Sequence, residues 1–174
     1  MMNEWTPVHE AGHAVLQIVL GLGCQHVAIV PDYEDMSAGS ATHAGEYPQD
    51  EDAELMKLLA PDSFWLRHAV ALYAGAEAVR RAGYKDWRAG ADSDYREAVD
   101  EINKITGDEQ SIDALFTLAK RRTEILMEHY WPEIEAVVQS LSESKTLSGD
   151  AVDQIVRRSC RYQQHRVERR TELH

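Results

Sequence analysis

Cysteine is scarce in this sequence: Cys24 and Cys160 are the only two among 174 residues. A chain of that length can bury a hydrophobic core without cross-links, so no disulfide framework is needed and both thiols are expected to be reduced. Positive charge is also in deficit, with 18 Lys and Arg against 30 Asp and Glu and a net charge of −12. Such a surface repels nucleic acid and anionic membranes at long range, which argues against both as partners. The apolar stretch near the start, AVLQIVLGLGC, is too short to span a bilayer, and the first twenty residues carry Glu4 and Glu10 and lack a basic n-region. The expectation is a cytoplasmic protein with no membrane anchor of its own. Also missing are a G-x-x-x-x-G-K-S/T phosphate loop, internal repeats and low-complexity linkers, which excludes ATP hydrolysis by that route and a repeat architecture.

What is present reads as one mainly helical domain. Thr6-Pro7 makes a helix start, with threonine as the N-cap and proline at the first helical position, and the helix runs to about Leu20 before Gly21 and Gly23 end it. Its apolar residues cover much of the circumference, as in a helix buried on most sides. His26 to Val30 (HVAIV), closed by Pro31, reads as a strand, and Gly39 to Tyr47 could pair with it across the loop YEDMSAG. A short helix is expected around Ala53 to Leu59, a longer one over Ser63 to Arg81, and another to about Ile105, capped by Asp92 or Ser93 and stopped by Gly107. Helical spacing returns from Ser111 to about Ser142, broken at Pro132, and a last helix follows Gly149-Asp150. Trp65, Tyr73, Trp87, Tyr130 and Trp131 read as helix-packing aromatics. The basic run from Arg157 to Arg170 reads as a solvated tail that could also meet an acidic partner.

Residues 9 to 13 are HEAGH. Positions i and i+4 of a helix share a face one turn apart, so His9 and His13 can reach one metal ion, and neutral imidazole suits zinc. Glu10 stands beside the first ligand, where its carboxylate can take a proton from metal-bound water without binding the metal. Two unpaired histidines and a glutamate inside a core would be costly without a metal or polar partner. Gly12 costs a helix roughly 0.5–1 kcal/mol relative to alanine, which points to a close backbone approach there. A catalytic zinc also wants a third protein ligand and one open position. Leu16 and Val19 stand where the extended H-E-x-x-H-x-x-G-x-x-H pattern places glycine and histidine, so the third ligand is distant. His26, Glu34, Glu46, His68, Glu77 and Asp94 are candidates by type, and spacing does not choose among them. Cys24, just past the turn, reads as a small buried thiol rather than a ligand. Glu77 is also a candidate to orient a liganding histidine.

VHEAGHAV, followed by a turn and HVAIV-Pro, resembles the peptidase domain of the FtsH family of ATP-dependent zinc proteases. The likeness continues in ALYAGAEAV (Ala71 to Val79), similar to that family's Gly-Gly-containing helix, in AGADSDYREAV (Ala89 to Val99), and in LSESKTLSGDAV (Leu141 to Val152). The resemblance implies that Asp94 is the third zinc ligand, matching the family's liganding aspartate. It further implies a mainly α peptidase domain over 1–160, with a zinc-site half (1–107), a helical half (108–160), a small β-hairpin or sheet beside the HExxH helix, a C-terminal helical bundle, and a basic tail at 161–174. The sequence departs from the family around Gly75, where Ala76, Glu77, Ala78 and Val79 replace the usual charged residues, and in lacking the ATPase. The function expected is a zinc metalloendopeptidase acting on unfolded polypeptides. A separate ATPase would supply unfolding, and homo-oligomerisation is open. An extended substrate would pair with a sheet edge provided by HVAIV or by Ser40 to Tyr47. The alternative is a catalytically silent binding or assembly module that keeps the peptidase fold.

Overall fold

A computed structural model describes residues 4–30, 39–44, 64–85 and 91–158. Its elements in chain order are α1 (Thr6–Val19), β1 (Cys24–Ala28), β2 (Ser40–His43), α2 (Phe64–Leu72), α3 (Ala74–Arg81), α4 (Ala91–Asn103), α5 (Glu109–His129), α6 (Trp131–Ser144), β3 (Thr146–Ser148) and α7 (Gly149–Arg158). The fold is mainly helical with a small antiparallel sheet, as the residue pattern indicates. Glu34, Glu46, Trp87, Cys160, the expected helix at 53–59 and the tail at 161–174 lie outside the described residues.

Helix α1 is the hub. Every residue of it except Val8 is buried, and it packs against α2, α3, α6, α7, β1 and β2. Its apolar residues go all round because neighbours cover it all round. It begins one residue earlier than the Thr6 cap implies. Trp5 is the N-cap, its carbonyl accepts from the N–H groups of Val8 and His9, and the fully buried Thr6 hydroxyl makes no cap. Pro7 stays in the first turn, where its missing N–H costs nothing. At the other end Gly21 takes a left-handed φ of 74° and Leu22 N–H returns to the Gln17 carbonyl at 2.9 Å, turning the chain into β1.

The sheet has the order β2-β1-β3, both pairs antiparallel. Val27 pairs with Ala41 on one side and with Leu147 on the other. The strand in HVAIV therefore starts and ends two residues early, at Cys24–Ala28, and it is central rather than an edge. That removes it as a place for an added substrate strand. Strand β3 had no signature in the sequence because three residues carry too little alternation to read. It forms because Lys145, in the left-handed conformation (φ 66°), ends α6 and its carbonyl accepts from Ile29 N–H at 2.9 Å.

The single helix expected over Ser63 to Arg81 is divided at Tyr73 into α2 and α3. Asp92 and Ser93 fall inside α4 rather than capping it, and Asp92 and Asp94 occupy its first turn. Asp108 caps α5 by accepting from Ser111 N–H at 2.8 Å, and α5 and α6 meet at Tyr130 with Pro132 in the first turn of α6. No helix among the described residues is long and apolar enough to cross a membrane.

Candidate metal centre

His9 and His13 stand one turn apart on α1, and their Nε2 atoms are 3.1 Å from each other. Asp94, brought in by the first turn of α4, places Oδ2 3.2 Å from His9 Nε2 and 3.3 Å from His13 Nε2. Three donors bound tetrahedrally at about 2.0–2.1 Å from one ion would stand about 3.3 Å apart. The observed triangle has that size. Asp94 Oδ2 is buried with the two imidazole nitrogens as its ion-pair partners, so it faces the centre of the triangle, where a proton on an imidazole or a metal ion has to balance its charge. His9, His13 and Asp94 could hold a metal ion.

The orientation of His13 is set from α2. Its Nδ1 lies 2.8 Å from the carbonyl of Ala71, in the last turn of that helix, where carbonyls have no partner of their own. A carbonyl only accepts, so Nδ1 carries the hydrogen. Nε2 is then the atom that turns its lone pair toward the centre when the ring is neutral, the arrangement by which a metal-binding imidazole is usually held. The two rings meet edge to face, their centroids 4.7 Å apart.

Burial governs the electrostatics. His9, Glu10 and His13 are only 7%, 6% and 7% exposed. Burial holds the His9 imidazole below its ordinary value and lifts the Glu10 carboxyl to about 7. For His13 burial acts downward, yet Asp94 and Glu10 outweigh it and raise the ring to about 9. Asp94 shows the reverse balance: burial acts upward, but the two imidazoles hold it far below the usual carboxylate range. With no metal bound, the centre therefore carries a proton on His13 at neutral pH and a full negative charge on Asp94.

Three glycines let backbone and ligands approach. A Cβ on Gly75 would lie 2.3 Å from His13 Nε2 and 2.6 Å from His9 Cε1, so α3 can pack against both imidazoles only without a side chain there. A Cβ on Gly12 would stand 2.7 Å from the Ala74 carbonyl oxygen, which is the close approach that a glycine inside a helix signals. Gly39, at the start of β2, would put its Cβ 2.8 Å from Glu10 Cγ. The glycine in HEAGH was readable from sequence alone. The contact of Gly75 with the ligand rings, and the Ala71 carbonyl, were not: the first needs two helices to be docked, and any residue has a carbonyl.

The remaining ligand candidates go elsewhere. His26 sits in β1 opposite Thr42 and Ser148. His68 pairs with Glu101. Glu77 does not orient a histidine; both its oxygens are taken by Arg80, at 2.6 and 2.7 Å. Cys24 is a buried free thiol whose Sγ donates to the His26 carbonyl, and burial pushes it up to about 11, which suits a packing role. Comparison with protein-family models and with curated proteins returns no match for this chain.

Proposed function

We propose that the chain is a zinc-dependent endopeptidase of the kind its sequence resembles, the FtsH-type peptidase domain, with His9, His13 and Asp94 holding the metal and Glu10 acting as general base. The observation that carries this reading is the convergence of three donor atoms from α1 and α4, 3.1 to 3.3 Å apart, beside a buried carboxylate. Three protein ligands leave one position for water or substrate, the mark of a catalytic rather than a structural zinc site. Two histidines and a carboxylate also suit iron(II); Glu10, a proton acceptor next to the first ligand, favours hydrolysis and hence zinc.

A zinc ion held there would supply Lewis acidity toward the scissile carbonyl and would bring water to a pKa of about 7. Glu10, lifted by burial to about 7, is matched to accept the proton of the attacking water at neutral pH and to return it to the leaving amine. The Ala71 carbonyl keeps the tautomer of His13 fixed throughout. An extended peptide would pair with β2, since β1 is occupied on both sides. Gly39, the residue before β2, lies against Glu10, so a peptide along that strand would run past the base.

Glu10→Gln keeps shape and removes the base. Zinc content measured on the purified variant should match that of the native chain, while cleavage of a casein-like unfolded substrate should fall by about 10²–10⁴-fold. Undiminished cleavage would remove Glu10 from the role. Zinc without turnover in the native chain would favour the silent binding module instead.

A further inference from the structure

Helix α4 presents a second buried acid besides the ligand. Glu101 follows Asp94 by seven residues, two helical turns, so the two carboxylates leave the same side of α4 about 10 Å apart along its axis. Glu101 Oε1 is 3.4 Å from Nδ1 of His68 on α2, and the two residues are only 5% and 6% exposed. The same oxygen receives Lys104 Nζ at 2.8 Å, and the His43 ring of β2 stands 4.8 Å from that of His68. His68 precedes by one turn Ala71, whose carbonyl holds His13. One short helix thus holds His13 through a carbonyl and meets the helix that carries Asp94 through the His68–Glu101 contact.

We propose that the buried His68–Glu101 pair is a positioning device that fixes the axial register of α4 on α2, and so sets where Asp94 meets the two imidazoles. This rests on the metal-centre reading above. The rest of the α4 contact is largely apolar, with Tyr95 against Tyr73 and Lys104 Nζ over the Trp65 ring beside it. Its other buried residues are Ala91, Ala98 and Ile102, and those of α2 besides His68 are Leu66, Ala69, Val70 and Ala71. Small apolar surfaces attract without direction and offer few stops against sliding. A helix moves as a rigid rod, so a 1 Å slide carries Asp94 by the same amount, well outside the ~0.2 Å tolerance of a metal–ligand bond. A buried polar contact two turns away opposes that freedom.

The test exchanges the pair for an apolar one in the full chain. A buried ion pair replaced by hydrophobic residues of similar volume commonly leaves a protein no less stable, so H68L/E101L separates positioning from stability. The probe is Co2+, followed by its visible d–d absorption, with thermal unfolding measured alongside. The expected result is an unfolding temperature at or above that of the native chain, Co2+ affinity lowered by about 10–100-fold, as for other residues that orient metal ligands, and altered d–d bands. A variant of preserved stability with native affinity and native bands would overturn the proposal. Should H68L/E101L not fold, E101Q decides it. E101Q keeps the size and an acceptor oxygen but loses the charge, and is expected to weaken Co2+ and shift its bands; native values there overturn the proposal equally. D94A tells the two readings apart. If the native chain takes up no Co2+, or D94A binds it as well as the native chain, the metal centre itself fails. If D94A loses Co2+ while the pair variants do not, only the positioning role fails.

Discussion

Glycine 75 shows how much one missing atom can decide. The sequence singles it out only through a family likeness, yet its absent Cβ would stand 2.3 Å from the very nitrogen of His13 that faces Asp94. Both imidazoles would have to rotate to admit a methyl, and His13 cannot do so without breaking its bond to the Ala71 carbonyl. Gly75→Ala is therefore expected to leave a folded, helical protein whose zinc affinity falls by at least about 10-fold, the scale on which lost ligand orientation is felt. Zinc titration against a competing chelator measures it. Native affinity in Gly75→Ala would mean that the rings do not occupy the positions described here.

Helix α1 explains most of the architecture and also the placement of the ligands. A helix buried on nearly all sides lets few neighbours pack without small residues at the crossing, and at Gly12 the backbone of α3 comes directly against α1. Two effects oppose each other in Gly12→Ala. Alanine improves helix propensity by about 1 kcal/mol, while overpacking costs typically about 1–3 kcal/mol. The atom it would strike is the Ala74 backbone oxygen at 2.7 Å, which cannot swing aside as a side-chain tip could. Overpacking should win, so chemical denaturation is expected to show Gly12→Ala less stable by up to about 2 kcal/mol. A gain in stability would show that α1 and α3 are not in contact there. Elsewhere, length and punctuation decided which elements were legible. Helices α4 to α7 announce themselves through period and through Gly107, Pro132 and Gly149. The division at Tyr73 and the three residues of β3 carry no such marks.

Across the whole molecule, metal binding at this centre would be linked to folding through protons. With no metal bound, His13 titrates near 9 and Glu10 near 7, both above their ordinary values. Each therefore contributes stability to the metal-free fold at low pH that is lost as pH rises, through about 7 for Glu10 and about 9 for His13. Asp94, held low, stays ionised across this window. Bound metal needs His13 without its Nε2 proton, so rising pH removes a competitor and strengthens binding, by up to about tenfold per unit. The gap in unfolding temperature between zinc-loaded and chelator-treated protein should accordingly be wider at pH 9 than at pH 7. With free zinc at about 100 times its dissociation constant the stabilisation is about 2.7 kcal/mol, or about 5–10 °C for a chain of this size. A gap that narrows over the same range, or none at all, would contradict the protonation assigned to His13.

HEAGH, by its spacing alone, determined that two imidazoles and a carboxylate share one turn of helix, because helical geometry is local and 3.6 residues per turn holds wherever the helix forms. Composition and periodicity likewise determined a mainly helical chain with a short strand after the first helix. Which distant group completes the triangle is not a local property: His26, His68, Glu77 and Asp94 are chemically eligible alike, and only the docking of α4 on α2 carries Asp94 to within 3.3 Å of both rings. Tertiary structure also made β1 central and, among the described residues, β2 an edge, since strand order depends on where the chain returns over a hundred residues later, at Thr146–Ser148. The Ala71 carbonyl and the bare face of Gly75 became parts of the site in the same way, through packing between helices whose meeting no sequence window contains.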